Sequence, residues 1–496
     1  MSKHNYFVKF LIKINKFINS LLSRNLNKLN AANLKNILIN NKVFLTIVLL
    51  VILFFSYLSL PNIFNKNQIS VELKRDLIEK LNLEFNFEKE LNYKFLPRPH
   101  FITSESSVIF NENKISKINK LKIYISLESL FSIKNMKVKN VIIEEANFNL
   151  NENNYSFFIK ILDNNFKDVK LQIVDSNIFY RNLQSDILFI NHIKNAKYIY
   201  DLKESKNIFY SKNNIFNLPY SIELSNNKGK KKLNSKINIE NLNLQIENQF
   251  SYGKKFNSGL SEFNYLKTKS IAEYKANKNF FEFKLSDKAL KSKFSYKGKL
   301  NFKPFHSNLE GSAKEINFGQ LFSTNGIIKQ LLKTKILNNR NIDFKLNIYA
   351  KKIKNYDNFV DIFLKSKIQE GLIDLDQTKL SWNNHVNFNL TDSLIYMKDG
   401  KLILDANSQI DLINLDEVYK FLLTPKNLRK KINKININFT YLFGEKVINI
   451  NDIKVDGTLN ENLSKNFNQI FLKENNLQNK IYFKKLLNDA IRNYAG

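Results

Sequence analysis

The chain has no cysteine, a single tryptophan, six prolines and twelve glycines among its 496 residues. Without cysteine there is no disulfide, no thiolate metal site and no cysteine nucleophile. So few glycines and prolines exclude collagen-like and Pro/Ser-rich architectures, and no such linker separates domains. The five histidines, His4, His100, His192, His306 and His385, stand apart from one another. No HExxH, GxSxG, P-loop or GxGxxG pattern occurs, so nothing points to a catalytic residue, a metal or a cofactor. The chain reads as a non-enzyme. Acidic residues are missing from the first 42 positions, where Lys3, Lys9, Lys13, Lys16, Arg24, Lys28, Lys35 and Lys42 stand alone.

What is present begins with Val43–Leu60, VFLTIVLLVILFFSYLSL, an uncharged apolar run between Lys42 and Pro61. Its length predicts a transmembrane helix, with Val43, Phe44, Leu49, Leu50, Ile52, Phe54, Phe55 and Leu58 as anchor residues. The competing assignments, a buried core helix or a cleaved signal peptide, fit less well. The run is longer than a signal peptide's apolar region, and Tyr57, Leu58 and Leu60 crowd the cleavage position. The one-sided basic flank places the N-terminus in the cytoplasm and the bulk outside. Residues 6–22 space Phe7, Phe10, Ile14, Phe17, Ile18 and Leu21 around lysines. They read either as an amphipathic helix on the inner leaflet or as a disordered basic tail.

The net charge of +32 would raise nucleic acid as a partner. The basic residues are spread along the chain, however, and the bulk is expected outside the cytoplasm, so nucleic acid is set aside. Attraction to anionic lipid head groups remains, at about 1 kcal/mol per basic residue near a surface.

Beyond Pro61, residues 68–85 carry Ile69, Leu73, Leu77, Ile78 and Leu81 on one helical face, with Asn65 or Asn67 as cap. From Asn86 the apolar period becomes two. Extended runs are expected at 101–110, 121–126, 138–150, 169–180, 208–216, 221–224, 237–246, 280–285, 294–302, 342–350, 386–390, 394–404, 410–413, 435–443 and 447–455. Such alternation indicates antiparallel sheet with one apolar and one wet face. Asp399–Gly400 reads as a type I′ hairpin turn and Gly444–Glu445 as type II′. Helices are expected at 318–337, at 415–432 (broken at Pro425) and at 460–494. There is no fixed-period repeat, and no strand–helix alternation of the kind an α/β enzyme shows.

The order of these elements resembles the AsmA family of bacterial envelope proteins. The resemblance rests on KFLPRPHF, with Leu96, Pro97, Pro99 and Phe101 as the motif. It extends through SLFSIKNMKVKNVIIEEANFNL ending at Leu150, KLQIVDSNIFYRN from Lys170, EINFGQLFSTNGIIKQLL, IDFKLNI and DLINLDEVYKFLL. It covers most of 43–455. Where that family has glycines, Asn82 or Asn86 and Ser176–Asn177 stand here. The resemblance implies a single-pass bacterial inner-membrane protein with a periplasmic body that influences outer-membrane lipid content and assembly. For the related TamB-like group it implies a long sheet curled around an apolar groove that carries phospholipid.

The expected fold class is mainly β (α+β): one transmembrane helix, then an elongated, curled antiparallel sheet with an apolar groove and a few late helices. The expected divisions are a basic segment 1–42, the anchor 43–60, β-rich regions 61–310 and 311–459, and a helical tail 460–496. Some 14–16 strands at about 4.8 Å would give roughly 70 Å of sheet. Candidate groove residues are Ile237, Ile239, Leu242, Leu244, Ile246, Phe294, Tyr296, Leu300, Phe302, Ile342, Phe344, Leu346, Ile348, Ile435, Ile437, Phe439 and Tyr441. Alternation alone favours a closed sandwich core, whereas the resemblance favours a groove. The competing function is a scaffold or adaptor that regulates outer-membrane protein assembly without holding lipid.

Overall fold

The computed structural model describes residues 42–495, apart from 165, 183–184, 228–231, 252–256, 266–267, 278, 288–293, 303–304, 318–326, 334–335, 339–342 and 469–471. The basic segment 1–41 and Ile342 lie outside the described residues, as do the side chains of Val43, Phe44 and Phe302. The fold is mainly β, with its strands joined in a single hydrogen-bonded sheet. The chain divides into two compact units, Met1–Asp76 with Leu91–Ile102 and Tyr124–Val138, and Leu77–Glu90 with Thr103–Ile123 and Lys139–Gly496. The expected boundary at 310 falls inside a strand of the second unit.

Helix α1 (Lys42–Ser59) gives way to a 3-10 turn, Leu60–Asn62, that holds Pro61. Among the described residues no single helix is long and apolar enough to cross a membrane. The stretch Thr46–Asn62 reaches that measure only with the next helix, from which it is bent by 86°. That helix, α2 (Lys66–Leu81), is capped by Asn65, whose Oδ1 accepts from the amides of Asn67 at 2.9 Å and Gln68 at 3.3 Å. It buries Ile69, Leu73, Leu77 and Leu81 along one stripe. It ends four residues earlier than its periodicity predicts. Asn82 takes a left-handed φ of +48° there and releases the chain into strand.

Six short strands follow: β1 (Glu84–Phe87), β2 (Asn92–Lys94), β3 (His100–Thr103), β4 (Ser106–Phe110), β5 (Asn113–Lys114) and β6 (Ser116–Ile125). The run expected over 101–110 is broken in two at Glu105, whose φ is +54°. β2 and β3 form a hairpin around the KFLPRPHF segment, in which Leu96–Pro97 is cis.

From β7 (Val138–Leu150) the ladder is continuous. It passes through β8 (Lys170–Arg181), β9 (Ile187–Asp201), β10 (Lys206–Ile215), β11 (Leu218–Asn227), β12 (Lys232–Ile239), β13 (Leu244–Ser251), β14 (Asn257–Tyr265), β15 (Thr268–Ala276), β16 (Phe280–Asp287), β17 (Phe294–Phe302) and β18 (Phe305–Ile316). It continues with β19 (Asp343–Ile353), β20 (Tyr356–Gln369), the collinear pieces β21 (Leu372–Asp374) and β22 (Lys379–Trp382), β23 (Val386–Lys398), β24 (Lys401–Leu412), β25 (Lys434–Leu442) and β26 (Val447–Val455). Neighbours are antiparallel except β7–β8 and β18–β19, which are parallel and joined through helices α3 (Phe157–Ile161) and α4 (Ile327–Lys333). A parallel pair needs such a crossover, whereas short connections serve the antiparallel neighbours apart from β24–β25, which are joined through residues 413–433. About eighteen steps of roughly 4.8 Å make some 85 Å along the ladder. This exceeds the expected length because β9, β14, β15, β18 and β20–β22 were not legible as apolar runs.

Other differences have local causes. The run 237–246 is a hairpin, turned by Glu240–Leu242 with Asn243 at φ +48°. KLQIVDSNIFYRN lies in one strand up to Arg181, with Asp175 at a left-handed φ of +45°. Asp399 and Gly400 both have positive φ, as type I′ requires, but the expected II′ turn is a longer loop ending on left-handed Lys446. Residues 318–326 and 334–335 of the expected 318–337 lie outside the described residues, and the spans 415–432 and 460–494 hold shorter helices than expected; five late helices are described. They are α4, α5 (Leu415–Leu422, ended by Leu423 at φ +61°), α6 (Glu461–Asn468), α7 (Glu474–Gln478) and α8 (Lys480–Ala495), with the short strands β27 (Thr458–Leu459) and β28 (Leu472–Lys473) between.

Candidate functional site: the apolar face of the ladder

Side chains alternate between faces along each strand, and directly paired residues share a face. Following the pairings outward from Ile237 gives one continuous surface. Ile222, Ile237, Ile246 and Phe263 form one row across β11–β14. Gly259, Tyr274, Phe283, Gly298, Leu309 and Leu346 form another across β14–β19. Ile410, Ile435 and Val455 belong to the same face at the far end.

The register puts Ile237, Ile239, Leu244, Ile246, Phe294, Tyr296, Leu300, Phe344, Leu346, Ile348, Ile435, Ile437, Phe439 and Tyr441 on this one face. Leu242 instead sits in the Glu240–Leu242 turn, where it is buried. The sequence missed Ile222, Phe263, Tyr274 and Phe283, which share the face. The phase break between Ile239 and Leu242, three positions apart in a run otherwise spaced by two, was the available sign of the hairpin.

From β11 through β15 the face carries no charged residue. The opposite face over the same strands holds Glu223, Lys236, Glu247, Glu262, Lys269, Glu273 and Lys275. There Lys236 pairs with Glu247 at 3.2 Å and, further on, Lys297 with Glu310 at 3.0 Å. Tyrosines stand among the polar groups of the apolar side, beside Ser235, Asn248, Ser261 and Ser270. Burial pushes Tyr220 up to about 12 and raises Tyr274 and Tyr296. Tyr441 is raised further by burial and by Glu474, to which its hydroxyl donates at 2.7 Å. These groups stay neutral.

Both ends of the face are sealed. Near β7–β10, α3 and the chain after it lie on the sheet. Phe157 and Phe158 contact Phe148, Tyr198 donates to the Phe158 carbonyl at 2.8 Å, and Asn207 donates to the carbonyls of Leu162 and Asn164. Leu171, Ile173, Ala196 and Tyr198 are fully buried as a result. At β25–β26, Leu463 and Phe467 of α6 and Leu486, Ala490 and Tyr494 of α8 pack on Ile435, Ile437, Phe439, Ile450 and Ile453.

Between the ends, Ile237, Ile246, Phe263, Phe283, Tyr296, Leu300 and Leu309 are only partly buried. Helix α4 rests on the β18–β24 part of the face through Leu332 and Ile328, and also touches the Glu240–Leu242 turn. A pocket of about 500 Å³ opens toward the C-terminal seal, lined by Tyr356, Phe359, Leu380, Phe388, Leu390 and Glu474.

The middle is made smooth by three glycines, each paired directly with an aromatic residue: Gly259 with Tyr274, Gly298 with Phe283, and Gly311 with Tyr296. A Cβ on Gly298 would lie 2.7 Å from the Phe283 ring, one on Gly259 2.5 Å from the Tyr274 hydroxyl, and one on Gly311 inside the Tyr296 ring. The rings therefore lie across the neighbouring backbone where no side chain stands in the way.

The remaining expected site residues lie elsewhere. On α1, Leu49, Leu50, Ile52, Phe54 and Phe55 are exposed and Leu58 is buried. Of the motif, Phe101 and Pro99 are buried, whereas Leu96 and Pro97 are exposed. Among the described residues no three His, Asp or Glu side chains converge as metal ligands. His100 is stacked on Tyr124 and its Nδ1 lies 2.7 Å from the Arg98 carbonyl, a packing role. Comparison with protein-family models finds no match, and comparison with curated proteins finds none either.

Proposed function

We propose that this chain is a membrane-anchored envelope protein of the AsmA kind, whose ladder curls about its apolar face and conducts phospholipid acyl chains along it. The observation that carries the reading is a face free of charge from β11 through β15, on which Ile237, Ile246, Phe263, Phe283, Tyr296, Leu300 and Leu309 stay only partly buried between helices that cover its two ends. A closed sandwich core would bury these large apolar side chains fully. Curling is supported by α4, which touches both the Glu240–Leu242 turn and β23, strands far apart along the ladder.

Acyl chains are the fitting cargo. Each methylene gains about 0.8 kcal/mol on leaving water, so one chain gains on the order of 10 kcal/mol. Against a bilayer interior the gain is near zero, which lets lipid enter and leave. For the anchor, α1 offers 18 residues, roughly 27 Å at about 1.5 Å each, with an exposed apolar surface. The bulk of the chain lies on the periplasmic side of the inner membrane, and no reaction is assigned to it.

Photo-crosslinkers placed in the full chain at Ile237, Ile246 and Phe283 are expected to capture phospholipid, and those at Asn238, Glu247 and Lys284 on the reverse face are not. Equal labelling of the two sets would remove the groove. A lipid-free protein that still holds a protein partner would favour the scaffold.

A further inference from the structure

The last turns of α1 are gripped by two loops of its own unit. Tyr93 in the β2–β3 hairpin donates to the Leu58 carbonyl at 2.6 Å, and the Phe95 ring meets Phe55 edge-on at 6.1 Å. From the other side the Tyr57 hydroxyl donates to the Leu127 carbonyl, and its ring lies 4.6 Å from that of Phe131. Both loops, held this way, turn apolar side chains outward. Leu96 is 65% exposed, Leu127 50% and Phe131 72%, and Ile63 just past the helix is 81% exposed. Most large apolar residues elsewhere in these loops are covered, such as Leu91, Phe101, Leu130 and Met136. Four protruding ones around a single helix end therefore form a patch, not scattered exposure.

The patch is continuous with the exposed apolar surface of α1, which runs from Ile47 to Phe55. Exposed Lys94, Arg98 and Lys134 stand among its members, against the single acidic Glu128 of the Leu127–Ser129 turn. Tyr57 and Tyr93 add aromatic rings with hydroxyls at the same level, as interfacial residues do. A protein partner would meet a narrow ring already occupied at its centre by the helix, whereas a bilayer meets helix and ring together.

We propose that this ring is a membrane-seated collar. Leu96, Leu127, Phe131 and Ile63 dip into the acyl boundary of the leaflet that α1 enters, with Lys94, Arg98 and Lys134 at its phosphates. The collar fixes the depth and tilt of α1, which a lone helix would leave loose. It rests on the membrane-anchored reading of α1 given above.

Because the chain has no cysteine, single labels are unique. The full chain carrying one Ile52→Cys, Leu96→Cys, Phe131→Cys or Asn238→Cys change is labelled with an environment-sensitive fluorophore. It is then placed in vesicles of phosphatidylglycerol and phosphatidylethanolamine containing lipid-borne quenchers at set depths. Labels at 96 and 131 are expected to be blue-shifted and quenched most by shallow quenchers, at about 5–10 Å depth. The label at 52 should respond to deep quenchers and that at 238 to none. If 52 is deep while 96 and 131 report water, the collar falls and the anchor stands. If 52 also reports water, the anchor falls and the collar with it. A blue shift at 131 that lipid quenchers leave untouched would put protein over the patch and equally overturn the proposal.

Discussion

Tyr220 is a tyrosine on the apolar face that donates to Asn191 Oδ1 at 2.9 Å, and burial raises it to about 12 against an ordinary value near 10. Its contribution to stability is therefore complete below pH 10 and lost as pH climbs through 12, on the order of 2 kcal/mol across that window. Tyr220→Phe is expected to flatten the decline in unfolding free energy between pH 10 and 12. An unchanged slope would mean that the ring does not hold its proton. The aromatic–glycine pairs are also matters of single residues. Gly298→Val forces Phe283 aside and should cost about 1–3 kcal/mol in denaturant unfolding. Phe283→Ala in the same chain should recover part of that loss, the signature of coupled neighbours. If the valine costs no more than Lys299→Val on the reverse face, the pairing is incidental.

Among the elements, α2 was the most legible, because an i, i+4 apolar stripe with an Asn cap admits few alternatives. Leu77→Ala removes a fully buried member of that stripe and should cost about 2–5 kcal/mol. Asn65→Ala should cost about 1 kcal/mol through its two lost amide partners. Circular dichroism during denaturant unfolding would measure both, and a costlier Asn65 change would reverse the view that packing outweighs capping here. Strands were legible in proportion to their aliphatic content. Val138–Leu150, VKNVIIEEANFNL, shows its period plainly, whereas Thr268–Ala276, TKSIAEYKA, places only small or aromatic residues on the apolar face. Helix ends were lost where Asn82 and Leu423 adopt left-handed φ, a choice that packing enforces more than composition does.

At the scale of the whole molecule the ladder should be unevenly stable. The sealed ends keep their backbone hydrogen bonds under helices, and the middle strands have one partly covered face and one wet face. Native-state hydrogen exchange is expected to be slowest in β7–β9 and β24–β26 and markedly faster in β12–β17. Uniform protection across the ladder would show a closed core and count against a lipid path.

The amino-acid sequence by itself determined that the fold is mainly β, that one helix with a buried stripe precedes the strands, and that the strands have unlike faces. Those properties follow from spacing within a few residues of each position. The tertiary structure decided which alternations add in phase. Ile237 and Ile246 face the same way because a turn with left-handed Asn243 folds them together, and Phe344 joins them only through the parallel pairing of β18 with β19. It likewise decided where helices seal the face and where it is left half-covered. Register and cover depend on turn geometry and on partners distant in the chain, so local periodicity does not carry them.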